Sequence, residues 1–130
     1  MEVIMNLYVS TPQHTDIVRD AKNTLKAQTR VYLKMANPSW EIDSKLVNRL
    51  YKLSLGLPPY NGLFPGFDGN KPAGTIISDS NGLLLHANMD CVVLYFGKVI
   101  EVRYDAERTI ENEILRSAPD EIYKEICHYI

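Results

Sequence analysis

Residues 75–104 read TIISDSNGLLLHANMDCVVLYFGKVIEVRY, and two dipeptides within them are typical of tight hairpin turns. Asn81-Gly82 and Gly97-Lys98 tolerate the positive φ that type I′ and II′ turns require, so each predicts antiparallel strands on either side. The flanking segments are rich in β-branched and aromatic residues, which favour strands. The sequence therefore predicts a four-stranded antiparallel meander.

The chain before this meander alternates between strand and helix patterns. Alternating apolar residues predict a strand over 2–10, and a hydroxyl cap followed by Pro12 predicts a helix to about Gln28. A second alternation predicts a strand over 30–36, and a strand, a helix and a strand in this order are typical of a right-handed crossover. Apolar residues at helical spacing then predict a long amphipathic helix over 40–55.

Residues 56–74, GLPPYNGLFPGFDGNKPAG, have a different composition and contain five of the seven glycines and four of the seven prolines. That density disfavours both a helix and a long strand, and loops of this length in compact domains are commonly functional. The aromatic residues Tyr60, Phe64 and Phe67 argue against a solvated linker. We therefore expect an ordered loop whose aromatic side chains, together with Lys71, either bind a partner or plug the open end of the core.

Two short helices are predicted after the meander. Asp105 or Thr109 provides a cap for the first, and residues 117–121 supply a cap, a proline and two acids for the second. The length fits one domain that buries a core without disulfides. The predicted fold is a single α+β domain over 1–130, of order βαβα-loop-ββββαα, with a mostly antiparallel sheet of five or six strands and helices mainly on one face.

Composition narrows the class of protein. The formal net charge of −2 gives no overall attraction to nucleic acid or to an anionic membrane. No apolar run is long enough for a membrane-spanning helix, and the beginning MEVIM lacks the basic region of a signal peptide. Two cysteines are too few for a disulfide framework, and their apolar neighbours predict buried free thiols. Together these features predict a cytoplasmic protein.

Positive charge collects in the first half of the chain. Residues 1–58 carry eight Lys and Arg against five Asp and Glu, and residues 98–130 carry five against eight. This asymmetry is either neutralised within the fold or favours head-to-tail self-association. One helix face and the following strand are predicted to form a cationic surface, which suits a nucleotide, another phosphorylated ligand or an acidic partner, or else is simply solvated. Its residues are Arg19, Lys22, Lys26, Arg30 and Tyr32.

One group of residues has the types that a cysteine hydrolase needs. His86, Asp90 and Cys91 could act as base, orienting acid and nucleophile. In an extended strand Cys91 faces away from the other two, whereas a turn at Asn88-Met89 would let the three meet. Histidines and cysteines at zinc-ligand spacing are missing, and the glycine-rich loop lacks the phosphate-binding and calcium-binding patterns. The sequence predicts no metal and no cofactor.

The sequence therefore favours a non-catalytic intracellular binding protein that sequesters or inhibits a protein target, as inhibitor and immunity-type proteins do. Self-association into a homo-oligomer is compatible with this function. Two alternatives stay open. One is capture of a small phosphorylated ligand, such as a nucleotide, by the cationic surface with the loop as a lid. The other is cysteine-dependent hydrolysis at Cys91.

Overall fold

The computed structural model describes residues 24–31, 36–61 and 74–129. These ranges contain β1 (Lys26–Thr29), β2 (Ser39–Glu41), α1 (Ser44–Leu55), β3 (Thr75–Asp79), β4 (Gly82–Asn88), β5 (Cys91–Phe96), β6 (Val99–Tyr104), α2 (Thr109–Arg116) and α3 (Asp120–Tyr129). The strands form one antiparallel sheet in the order β2-β1-β3-β4-β5-β6. The predicted α+β class is confirmed. None of the described helices is long and apolar enough to cross a membrane.

The meander forms as predicted, except that the first turn lies one residue earlier than Asn81-Gly82, at Ser80 and Asn81, because Asp79 pairs with Gly82. Antiparallel pairing runs from β3 through β6, with one irregularity between Ile77 and Ser78. Gly82 and Gly97 have φ angles of 129° and 63°, which glycine adopts without the strain that a Cβ atom would cause. The middle turn falls at residues 89–90. The four strands predicted over this stretch are therefore confirmed.

The first described strand replaces the end of a predicted helix. The prediction of a helix to about Gln28 is wrong from Thr24, the first described residue, onward, because residues 24–25 are not helical and residues 26–29 pair with β2 on one side and with β3 on the other. Two ladders of backbone hydrogen bonds outweigh the weak local preference that helical spacing indicates. The predicted strand over 2–10 and the beginning of this helix lie outside the described residues.

Two further element boundaries differ from the predictions. The described residues of the segment 30–36 have no strand pairing, and the Val31 N–H instead donates to the Asn37 side chain at 2.8 Å. The helix predicted over 40–55 begins at Ser44, because the residues just before it pair with β1 and form β2. In both cases a contact between different parts of the chain decides the backbone conformation.

The core lies between one face of the sheet and the three helices, so the prediction that helices pack mainly on one face is confirmed. Trp40 donates its Nε1–H to the Ser117 hydroxyl at 2.9 Å, which connects β2 to the turn between α2 and α3. Full burial of each large apolar side chain contributes roughly 1.5–3 kcal/mol. The main core residues are Ala27, Trp40, Val47, Leu50, Tyr51, Ile77, Leu85, Ala87, Val92, Leu94, Ile110, Ile114, Leu115 and Ile126.

Two glycines with similar backbone conformations provide a test of the packing where the long loop meets β3. Gly74 and Gly97 have φ angles of 71° and 63°, but a Cβ atom at Gly74 would collide with the Ala87 carbonyl oxygen, whereas the site at Gly97 is open. We expect Gly97→Ala to cost about 1–2 kcal/mol of unfolding free energy from backbone strain alone. Gly74→Ala should cost about 1–3 kcal/mol more. Urea unfolding measures both, and equal losses would contradict this packing.

Candidate functional site

The beginning of the proline-rich loop is bound to the outer edge of β6. The Tyr60 N–H donates to the Val102 carbonyl at 3.2 Å, and the Tyr104 N–H donates to the Pro58 carbonyl at 2.8 Å. Proline suits such a position because an edge segment need not donate a hydrogen bond from every residue. These two backbone hydrogen bonds hold the first loop residues against the sheet.

Arg103 fixes the same segment through its side chain. It lies opposite Pro59 in the antiparallel pairing, and its Nη1 donates to the carbonyls of Leu55 at 2.9 Å and Leu57 at 2.8 Å. Its Nη2 donates to Glu101 Oε1 at 2.9 Å. Carbonyls at a helix C-terminus have no partners within the helix, and a planar guanidinium can bind several of them at once. Arg103 therefore ties the end of α1 to β6.

This pairing brings two tyrosine side chains together beside a carboxylate. The ring centroids of Tyr60 and Tyr104 are 6.4 Å apart with the planes inclined at 48°. Burial raises the pKa of the Tyr60 phenol, and the nearby Asp90 carboxylate raises it further. The cavity here, which we term the tyrosine notch, has a volume of about 320 Å³. It is lined by Pro58, Pro59, Tyr60, Asn61, Asp90 and Tyr104.

The hairpin turn between β4 and β5 brings Asp90 to this place. The Asp90 carbonyl accepts the Asp105 N–H at 2.7 Å, so the turn is attached to the end of β6. The Asp105 carboxylate in turn accepts the N–H groups of Thr109 at 3.1 Å and Ile110 at 2.8 Å. The buried Asp105 thus caps α2 and has a structural role, whereas the Asp90 carboxylate has no cationic partner among the described residues.

Of the four loop residues predicted to bind a partner, the structure describes only Tyr60. Sequence patterns identify this residue but give no signal for its neighbours, because the contact with Tyr104 depends on the non-local pairing of Pro59 with Arg103. The other predicted residues of the loop lie outside the described part of the chain and stay predictions; they are Phe64, Phe67 and Lys71.

The predicted cationic surface is only partly within the described residues. Lys26 lies in β1 opposite Glu41 of β2, so the expected helical spacing with Arg19 and Lys22 is wrong at this residue. The Arg30 N–H donates to the Gly74 carbonyl at 3.0 Å just after β1 ends. Arg19, Lys22 and Tyr32 lie outside the described part and stay predictions.

A different basic groove lies on the exposed side of α1 and has a volume of about 530 Å³. The cations Lys45, Arg49 and Lys52 are spaced along one side of the helix. The sequence contains this spacing, but the apolar periodicity of the same segment is the stronger signal. Arg49 Nη2 lies 3.1 Å from Glu113 Oε1, so part of this charge is neutralised within the fold. The remaining lining residues are Asn48 and Leu53.

The environment of Cys91 does not favour the nucleophile that the hydrolase hypothesis requires. The turn at residues 89–90 places His86 and Cys91 on the same face of the sheet, since Cys91 pairs with Asn88. However, burial raises the pKa of the Cys91 thiol to about 11, and Asp90 contributes to the same shift. A catalytic cysteine needs the opposite shift, because the thiolate is the reactive form. Cys91 therefore stays protonated at neutral pH.

The other buried acid also has structural partners. Glu111 Oε2 accepts the Thr75 hydroxyl at 3.2 Å, and Glu111 Oε1 lies 2.6 Å from the guanidinium of Arg108. The Thr75 hydroxyl lies 2.9 Å from that of Thr29, so this network connects α2 to β3 and β1.

Among the described residues, no group of three His, Cys, Asp or Glu side chains is arranged to hold a metal ion.

Comparison of this chain with protein-family models, with curated proteins and with solved structures finds no match. Within the described part of the chain, the tyrosine notch combines exposed aromatic surface, a carboxylate and a backbone fixed by hydrogen bonds.

The two cysteines give a direct test of the hydrolase hypothesis. Both thiols are free, but Cys127 is exposed on α3, so the prediction of two buried thiols is correct only for Cys91. We expect iodoacetamide at pH 8 to alkylate Cys127 first and Cys91 at least about a hundredfold more slowly, because burial and the raised pKa both suppress its thiolate. Peptide mapping by mass spectrometry measures the two rates. Labelling in urea should remove the difference, and rapid labelling of Cys91 in the folded protein would contradict this assignment.

Proposed function

We propose that this chain is a non-catalytic binding protein that engages a protein partner through the tyrosine notch and the apolar surface beside it. It acts by occupying or sequestering that partner, as inhibitor and immunity-type proteins do. The observation that supports the proposal most directly is the pair of tyrosine rings, Tyr60 and Tyr104, held 6.4 Å apart by a segment whose backbone is bound to β6.

Rigid presentation of aromatic side chains favours binding. Tyrosine has few rotatable bonds and offers both apolar area and a hydroxyl, and it is enriched among the residues that dominate the energy of protein interfaces. Loops and side chains that become ordered on binding lose entropy, and this loss weakens association. Here the hydrogen bonds of Tyr60 and Tyr104 hold the backbone in place before any partner arrives.

Exposed apolar side chains lie on the chain segments that contribute residues to the notch. Met89, in the turn next to Asp90, is 66% exposed, and Tyr104 is 40% exposed. Ile100, on the same face of β6 as Tyr104, is 53% exposed. Exposed apolar residues are ordinary when single, but several of them beside a rigid aromatic pair favour a protein interface.

The setting that fits this proposal is a reducing compartment such as the cytoplasm. Cys127 is an exposed free thiol, and such thiols persist where disulfide formation is disfavoured. A homo-oligomer remains compatible with the proposal, with a second copy as the partner.

The second candidate function is capture of a small phosphorylated ligand. The observation that favours it is the groove of about 530 Å³ along α1, in which Lys45, Arg49 and Lys52 lie on one side of the helix. Lysine and arginine both bind phosphate oxygens through charge-assisted hydrogen bonds. The pairing of Arg49 with Glu113 makes this the weaker candidate, because a ligand would compete with an existing ion pair.

Two tyrosines of nearly equal exposure provide a matched test of the protein-binding proposal. Tyr104 is 40% exposed in the notch, and Tyr123 is 39% exposed on α3. In a quantitative pull-down from lysate of the source cells, we expect Tyr104→Ala to reduce the recovered partner about tenfold or more, as loss of an interface hot spot does. Tyr123→Ala should leave recovery unchanged.

Thermal unfolding of both variants controls for loss of structure, and native mass spectrometry distinguishes a foreign partner from a second copy of the chain. Equal recovery by wild type and by Tyr104→Ala would contradict the proposal. So would an equal loss in the two variants.

A further inference from the structure

We propose that the tyrosine notch is a subsite for one arginine side chain of the partner protein. This inference rests on the proposed function and gives its partner a chemistry. It follows from three features of the notch. These are the rings of Tyr60 and Tyr104, the carboxylate of Asp90, and a cavity that is open to a side chain from another molecule.

The shape of the notch suits a planar cation. Its volume of about 320 Å³ leaves room for a guanidinium group and part of its aliphatic stem. The rings of Tyr60 and Tyr104 are inclined to each other rather than stacked, so a guanidinium can lie over one ring and meet the edge or hydroxyl of the other. Arginine makes such contacts with aromatic faces more often than lysine does.

The charge of the notch suits the same ligand. Asp90 lines the cavity, and no cation among the described residues pairs with its carboxylate. The cation on β6 is Arg103, and its guanidinium already donates hydrogen bonds to Glu101 and to two backbone carbonyls. Burial raises the pKa of the Tyr60 phenol, and the charge of Asp90 adds to this shift. A cation entering the notch would find a carboxylate acceptor that no described cation already pairs with.

A partner protein is the occupant that the surroundings favour. Met89, which precedes the notch residue Asp90 in the turn between β4 and β5, is 66% exposed and would contact the polypeptide that carries the arginine. A free small cation would leave that apolar surface in water. We therefore expect the arginine to determine the orientation and specificity of the partner, and the exposed apolar side chains to contribute buried contact area.

The test is a titration of the ¹⁵N-labelled protein with N-acetyl-arginine methylamide, followed by the backbone amide shifts. We expect saturable shifts at Tyr60, Asn61, Asp90 and Tyr104, which line the cavity. The citrulline derivative has nearly the same shape without the charge, and it should produce no saturable shifts. The lysine derivative should bind more weakly than the arginine derivative, because its ammonium group cannot stack on a ring as a guanidinium does.

Substitution of the carboxylate gives the second arm. Asp90→Asn should weaken binding of the arginine derivative about tenfold, the effect of losing a hydrogen bond between charged groups. Asp43→Asn is the matched control, because Asp43 is exposed and makes no capping hydrogen bond with its side chain. This control variant should bind as tightly as the wild type.

Three results would overturn the inference: equal shifts with citrulline, unchanged affinity in Asp90→Asn, or notch shifts that depend on protein concentration without ligand. The last result would mean that a second copy of the chain occupies the notch. Failure of the arginine titration with retained loss of partner in Tyr104→Ala would refute the cation subsite alone. Binding of arginine with no effect of Tyr104→Ala on partner recovery would support the subsite and refute the proposed function.

Discussion

Arg103 connects two parts of the molecule that are far apart in the sequence, the segment at the end of α1 and strand β6. Its guanidinium donates to the Leu55 and Leu57 carbonyls and to Glu101 on its own strand, and its backbone pairs with Pro59. Without such a partner those helix-end carbonyls would need water or another donor. Arg103 supplies the hydrogen-bond donors for these carbonyls, and the chain leaving α1 therefore runs along β6. This path determines the position of the tyrosine notch.

The notch is therefore a product of sheet topology rather than of one local motif. Tyr60 comes from the segment after α1, Tyr104 from the end of β6 and Asp90 from the turn between β4 and β5. The hydrogen bond from the Asp105 N–H to the Asp90 carbonyl fixes that turn against the end of β6. Backbone hydrogen bonds hold all three segments, so the side chains face a common cavity before a partner binds. This arrangement is what the binding proposal requires, since preorganisation limits the entropy lost on association.

Local sequence signals predict the parts of this structure whose conformation is decided locally. Gly97-Lys98 places its hairpin correctly, and Asn81-Gly82 places its hairpin to within one residue, because turn geometry depends on a few adjacent residues. The strand at Lys26 is not predictable in this way, because its conformation comes from pairing with two strands that lie far along the chain. The candidate site divides similarly: composition identifies the proline-rich loop and Tyr60, whereas the residues that complete the notch depend on a register that no local pattern encodes.

Residues 58–60 are bound to β6 in the free protein, and amide hydrogen exchange measures this attachment directly. The Tyr60 N–H and Tyr104 N–H each donate across this pairing. The account predicts that both amides exchange slowly in the wild type, and that replacing Arg103 with lysine accelerates exchange at Tyr60, because an ammonium group cannot reproduce the planar set of donors. Exchange of the wild-type Tyr60 amide at the rate of an unstructured peptide would contradict the account.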